Sequence, residues 1–146
     1  MYRRVILPTD GSELAMQGVK EGMKLARFLD IPVTAVHVID VGKISFSENM
    51  EESIRKSAEN ILQDVEDLAE EMGVKAESKI LKGTPYKKIS EQSQKDDVIY
   101  ISSHGSSGFR ELFMGSTTQR LLKHADCTVS VVKGTPGKVD EDRDER

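Results

Sequence analysis

Apolar positions along the chain follow two rhythms. Five short runs rich in β-branched residues read as strands: Arg4–Thr9 (RVILPT), Pro32–Ile39 (PVTAVHVI), Lys75–Leu81, Asp97–Ser102 (DVIYIS) and Thr128–Lys133 (TVSVVK). Between them the period lengthens. Ala15, Val19, Met23 and Ala26 recur at helical spacing behind Ser12, a good N-cap residue. Ile54, Ala58, Ile61, Val65, Leu68 and Met72 recur every three or four residues, Leu62 and Ala69 widen the stripe, and Gly73 stands where a helix ends. Val41–Asn49 is a polar connection without a period. Gly83-Thr84-Pro85 opens a short third helix with Pro85 at its first position, and Thr117–His124 reads as a fourth.

Strands and helices alternate throughout, which predicts a single-domain, doubly wound α/β fold. Its five-stranded, mostly parallel sheet is Rossmann-like, with helices on both faces. Ligands of such sheets sit outside the carboxyl ends of the strands, where strand order reverses. An order of 3-2-1-4-5 places that point between the first and fourth strands. The loops there are Pro8–Glu13 and Ile101–Ser116, the strand-to-helix turns richest in glycine and hydroxyl groups.

The second of these loops is far longer than the roughly two to six residues usual for such a turn. Gly105 admits close backbone approach. Gly115-Ser116-Thr117 opens a helix, where amides and the helix dipole favour an anion such as phosphate. The hydroxyls of Ser116 and Thr117 add hydrogen bonds, and Gly105 and Gly115 clamp the anion from two sides. Leu112, Phe113 and Met114 anchor the loop in apolar surface. Spacing alone leaves open an ordinary long loop with glycines at its turns.

Composition narrows the function classes. The chain has 146 residues, 37% hydrophobic and 32% charged, which suits one core and a well-solvated surface. No apolar run approaches the roughly 18 residues of a membrane span, no signal peptide precedes the first strand, and Cys127 is the single cysteine, so a cytoplasmic protein is expected. Net charge is −4, of which residues 140–146 (DEDRDER) supply −3, so the remainder carries about −1 and lacks the basic footprint of a nucleic-acid binder. Residues 134–146 read as a charged, disordered tail.

No P-loop and no Gly-x-Ser-x-Gly elbow appears, and the loop from Ile101 to Gly115 offers only Arg110 and His104 as basic groups, so rapid phosphoryl transfer is not expected. His37 and His124 read as structural. His104 reads as a loop-shaping or solvent-facing residue, or as a phosphate or metal contact. Cys127 reads as a buried small residue, and the histidines lack metal-ligand spacing.

Four segments in this order, RRVILPTDGSELAMQGVKEGMKLA, AVHVID, GTPYKKI and SSHGSSGFRELFMGSTTQRLLKHADCTVSVVK, resemble the universal stress proteins over Arg3–Lys133. The ATP-binding branch of that family carries Gly-x2-Gly-x9-Gly-(Ser/Thr). Here Gly105 and Gly115 keep the spacing and Ser116 follows, but Ser102 occupies the first glycine position. The resemblance implies a nucleotide-binding domain over residues 1–133. In it Pro8 and Thr9 flank the site, Asp10 touches the adenosine moiety, and the Val38 backbone hydrogen-bonds the adenine. Ser102 lies near the ribose beside His104. Amides of Gly105, Gly115, Ser116 and Thr117 hold the phosphates of ATP or another adenine nucleotide with Mg²⁺ or Mn²⁺. Asp10 has an alternative role as a turn or cap residue of the first helix. The resemblance further implies a homodimer through the last strand, at Val129, Val131 and Val132, and a stress-response switch worked by binding, with at most slow ATP hydrolysis. The alternative is a nucleotide-independent dimeric interaction module.

Overall fold

A computed structural model describes residues 1–43, 48–104 and 114–134. The strands are β1 (Arg4–Pro8), β2 (Val33–Ile39), β3 (Ala76–Lys82), β4 (Asp97–Ser102) and β5 (Thr128–Val132). All pair in parallel in the order β3-β2-β1-β4-β5, the predicted topology. The helices are α1 (Glu13–Leu29), α2 (Glu48–Met72), α3 (Pro85–Gln92) and α4 (Ser116–His124).

Local chemistry sets most boundaries. The Ser12 hydroxyl accepts the Ala15 N–H at 3.1 Å and caps α1. Gly73, at φ 72°, ends α2 in a Schellman turn: Val74 N–H reaches the Ala69 carbonyl at 2.8 Å and Gly73 N–H the Glu70 carbonyl at 3.2 Å. Pro85 takes the first position of α3. The polar connection is shorter than its lack of period suggested. A 3-10 turn at Val41–Lys43 and a start of α2 at Glu48 both fall within it. The first turns of α2 precede its apolar stripe, so periodicity could not mark where the helix begins.

Alternation along the strands divides the core. Val5, Leu7, Val33, Ala35 and Val98 point to one face and bury Val19, Met23 and Ala26 of α1 with Leu62, Val65 and Ala69 of α2. Ile6, Val36, Ile99 and Ile101 point to the other and bury Ile89 of α3 with Leu121 of α4. Each fully buried large aliphatic side chain contributes roughly 1.5–3 kcal/mol, which makes these two layers the main source of stability. Helix α1 lies close on the sheet through Gly18 and Gly22. A Cβ at Gly22 would collide with the Leu7 side chain and stand 2.8 Å from Tyr100 Cβ, and one at Gly18 would stand 3.0 Å from the Ser102 amide nitrogen.

The amino end of the sheet is tied by a buried ion cluster. The Asp97 side chain is fully buried and receives Arg4 Nη2 at 2.7 Å, Arg4 Nε at 3.2 Å, Arg3 Nε at 3.1 Å and the Gln94 N–H at 2.8 Å. Burial opposes its charged form. The Arg4 hydrogen bonds, the Gln94 amide and the two guanidinium charges outweigh that and hold the carboxyl below its ordinary value of 3.8.

Candidate functional site

The opposite, carboxyl end of the sheet carries a cleft of about 400 Å³, between the N-termini of α3 and α4. It is lined by Pro8, Thr9 and Asp10 from the β1 end, Val38 from β2, Ser102 and His104 from the β4 end, and Gly115, Ser116 and Thr117 from the start of α4. Every predicted site residue is thus brought together except Gly105, which lies outside the described residues together with Arg110, Leu112 and Phe113.

The β1–α1 turn is fixed from several directions. Thr9 N–H donates to the Val36 carbonyl at 2.9 Å. The Thr9 hydroxyl accepts the Gly11 N–H at 3.0 Å, and Asp10 Oδ1 accepts the Ser12 N–H at 2.9 Å, an Asx turn. Gly11 sits at φ 81°, and a Cβ there would meet Ile61 at 2.7 Å, so both conformation and space require glycine. His37 Nδ1 lies 2.8 Å from the Thr9 carbonyl oxygen. A carbonyl only accepts, so Nδ1 carries the hydrogen, and His37 is structural as expected. Asp10 has the turn role expected of it and also lines the cleft.

Backbone register supplies the next element. Val36 faces β1 in the ladder, since its carbonyl takes the Thr9 N–H. Two residues on, alternation turns the Val38 N–H and C=O to the same side, beyond the last β1–β2 pair, Pro8 with Val36. These groups therefore face the cleft rather than a strand.

The end of β4 is clipped to the start of α4. Thr118 Oγ1 donates to the Ser102 carbonyl at 2.9 Å, and the Gly115 N–H donates to the Ser103 carbonyl at 2.7 Å. Gly115 is the N-cap of α4, at φ −59° and ψ 153°, a conformation open to any residue. Its amide is therefore already used, contrary to its expected place among the phosphate donors. The first intrahelical bond runs from Gln119 N–H to the Gly115 carbonyl at 3.1 Å, which leaves the amides of Ser116, Thr117 and Thr118 at the positive end of the helix dipole.

Ser102, at the position of the first motif glycine, is buried and donates its hydroxyl to the His104 carbonyl at 2.6 Å. The extra hydroxyl is thus satisfied within the chain. His104 is only 6% exposed, so the solvent-facing alternative does not hold. Its Nδ1 lies 3.0 Å from Ser103 Oγ, while its buried Nε2 has no hydrogen-bond partner among the described residues. Met114 does not anchor the loop as expected; it is 42% exposed. Cys127 is half-buried, and burial raises the pKa of its thiol.

The cleft also contains groups that sequence reading passed over: Asp40 after β2, Tyr86 and Ile89 on α3, and Arg120 on α4. The Arg120 guanidinium lies over the Tyr86 ring, 5.3 Å from its centroid. The signal was available in part, because Arg120 is four residues after Ser116 and shares its helix face. Among the described residues no group of three His, Cys, Asp or Glu side chains could hold a metal by itself, and no helix is long and apolar enough to cross a membrane.

Residues 1–133 match the universal stress protein family. A universal stress protein of Methanocaldococcus jannaschii is 31% identical over 141 residues, spanning 91% of this chain and 83% of that protein. The solved structure of a second protein of that archaeon, MJ0577, superposes with a TM-score of 0.83 at 28% identity, covering 92% of this chain and 98% of that one. A solved universal stress protein in complex with cAMP superposes with a TM-score of 0.71 at 18% identity, covering 92% and 98%. The chain belongs to the universal stress protein family.

Proposed function

We propose that the cleft binds an adenine nucleotide, ATP above all, and that binding rather than turnover is the functional event. The carrying observation is that one cleft holds two complementary ends. The Val38 backbone offers a donor and an acceptor to a base, and the Ser116–Thr118 amides offer a positive pole to phosphate. The fold relative in complex with cAMP supports an adenine ligand.

Asp10 and Asp40 both line the cleft, and carboxylates are the hard oxygen donors that Mg²⁺ or Mn²⁺ takes. Such an ion would share its coordination with the phosphates and offset their charge. Asp10 also orders the turn through its Ser12 bond, so its backbone role persists with or without a ligand.

The protein would act as a cytoplasmic stress-response switch and pair through β5. That strand is an edge of the sheet, bonded only to β4, with Val129, Val131 and Val132 half-buried in the single chain. A second reading, a nucleotide-independent interaction module working through that dimer, draws on Ser102, where the family's nucleotide motif has glycine.

Calorimetric titration of nucleotide-stripped protein with ATP and Mg²⁺, with GTP as control, separates the two. The expected outcome is micromolar, adenine-selective binding, abolished in Gly115→Val. That variant should still fold, because the Gly115 backbone suits any residue. No heat and no thermal stabilisation at millimolar ATP would favour the module instead.

A further inference from the structure

We propose that Arg120, held over the Tyr86 ring, makes the cleft prefer nucleotides carrying a phosphate beyond the first. This rests on the adenine-nucleotide reading and deepens it.

The argument starts from position. Arg120 lies one turn after Ser116 on the same face of α4, and long side chains on a helix lean back toward its N-terminus. An anion at the Ser116–Thr118 amides is therefore within the sweep of the guanidinium. Both Arg120 and Tyr86 line the cleft.

Charge gives the second step. The described cleft contains the carboxylates of Asp10 and Asp40, and Arg120 is the one guanidinium or ammonium among its described residues. A polyphosphate carries more negative charge than one divalent ion at these carboxylates offsets, so a further positive group helps to hold it. A single phosphate is already served by the three α4 amides. A longer chain has charge left over, and the guanidinium stands along the same helix face to take it.

Preorganisation gives the third. A free arginine has many rotamers, and ordering it on binding costs entropy. Here the guanidinium already lies over the Tyr86 ring, 5.3 Å from its centroid, and that ring in turn lies 5.3 Å from the His124 ring at 33°. A cation–π contact uses none of the guanidinium N–H groups as conventional hydrogen-bond donors, so they remain for oxygen. No hydrogen bond or ion pair engages them among the described residues. Arg120 is exposed, so the contact is not needed to satisfy a buried charge.

The test is calorimetric titration of ATP, ADP and AMP at fixed Mg²⁺ against wild type, Arg120→Ala, Arg120→Lys, Tyr86→Phe and Tyr86→Ala. Wild type should bind ATP and ADP more tightly than AMP. Arg120→Ala should weaken ATP and ADP by about ten-fold or more. AMP should change by less than about two-fold, the scale of a screened surface charge. Arg120→Lys should fall between, because it keeps the charge but loses the fork. Tyr86→Phe should match wild type, and Tyr86→Ala should move toward Arg120→Ala. Equal losses for ATP and AMP in Arg120→Ala, or no loss for either, overturn the proposal while the adenine-nucleotide reading stands. Wild type that binds none of the three nucleotides overturns that reading and the proposal with it.

Discussion

At the amino end of the sheet, Asp97 is fully buried and both of its oxygens are met by Arg3, Arg4 and the Gln94 amide. At the carboxyl end, three helix amides and the Val38 backbone face the cleft, and the buried Nε2 of His104 lacks a partner among the described residues. The same strands run between the two ends, and the same apolar layers cover both. The difference lies in where polar capacity is consumed. At the amino end the Asp97 carboxylate is satisfied internally, and so adds to stability. The other end keeps several polar groups in reserve, and so can add binding energy only when something enters.

The largest test breaks the satisfied end. Asp97→Asn keeps the shape and removes the charge that two guanidinium groups share. Losing one partner of a buried ion cluster should cost about 3 kcal/mol, or roughly 10 °C in melting temperature for a domain of this size. Nucleotide affinity of the folded variant should stay unchanged. The pH dependence has a definite sign. Asp97 titrates below 3.8 when folded, so its contribution is complete above that value and is lost as pH falls through the lowered folded pKa. The gap between wild type and Asp97→Asn in chemical denaturation should be widest near neutrality and close in acid. A gap that persists undiminished at pH 2 would mean that packing, not charge, holds this end.

A smaller effect is expected where the cleft is built but not left open. The Thr118 hydroxyl reaches the buried Ser102 carbonyl and fixes the N-terminus of α4 on β4. Thr118→Val keeps the volume, strands that carbonyl, and should cost about 1–3 kcal/mol in urea unfolding. Because the α4 amides lose a fixed position, ATP affinity should fall with it. Asp97→Asn at the other end should lack that second effect. A Thr118→Val protein with native stability would show that this contact does not tie the two elements.

Much of this arrangement was legible before any coordinates. Ser12, Gly73 and Pro85 act through their own backbone neighbourhood, so their identity alone announced a cap, a stop and a start. Buried strands such as Val33–Ile39 showed themselves as short runs rich in β-branched residues. The doubly wound pattern allowed the strand order 3-2-1-4-5 without fixing it, and the structure has that order, which brings Pro8–Asp10 to Gly115–Thr117. Spatial facts were harder to reach. The use of the Gly115 amide by Ser103, the burial of His104 and the pairing of Arg120 with Tyr86 all arise from α3, α4 and the β4 end converging in space. The four-residue spacing from Ser116 places Arg120 on the right helix face, but spacing alone does not show the Tyr86 ring beneath it. The start of α2 was hidden for a different reason: its opening turns have no apolar stripe to read.

The smallest expected stability change gives the sharpest contrast between the two ends. His104→Asn can keep a polar atom near the position of Nδ1, and with it the contact to Ser103 Oγ, while it removes the unpartnered Nε2. A buried nitrogen without a partner opposes folding by about 1–3 kcal/mol, and the smaller side chain leaves some space, so the two terms offset and the melting temperature should barely move. Affinity is the discriminating readout. If the reserve at this end serves a ligand, Asn should weaken ATP binding several-fold although the free protein is no less stable. Asp97→Asn should do the reverse. If His104→Asn lowers stability as much as Thr118→Val and leaves ATP affinity intact, then His104 belongs to the scaffold. The contrast between the ends would then rest on the backbone amides alone.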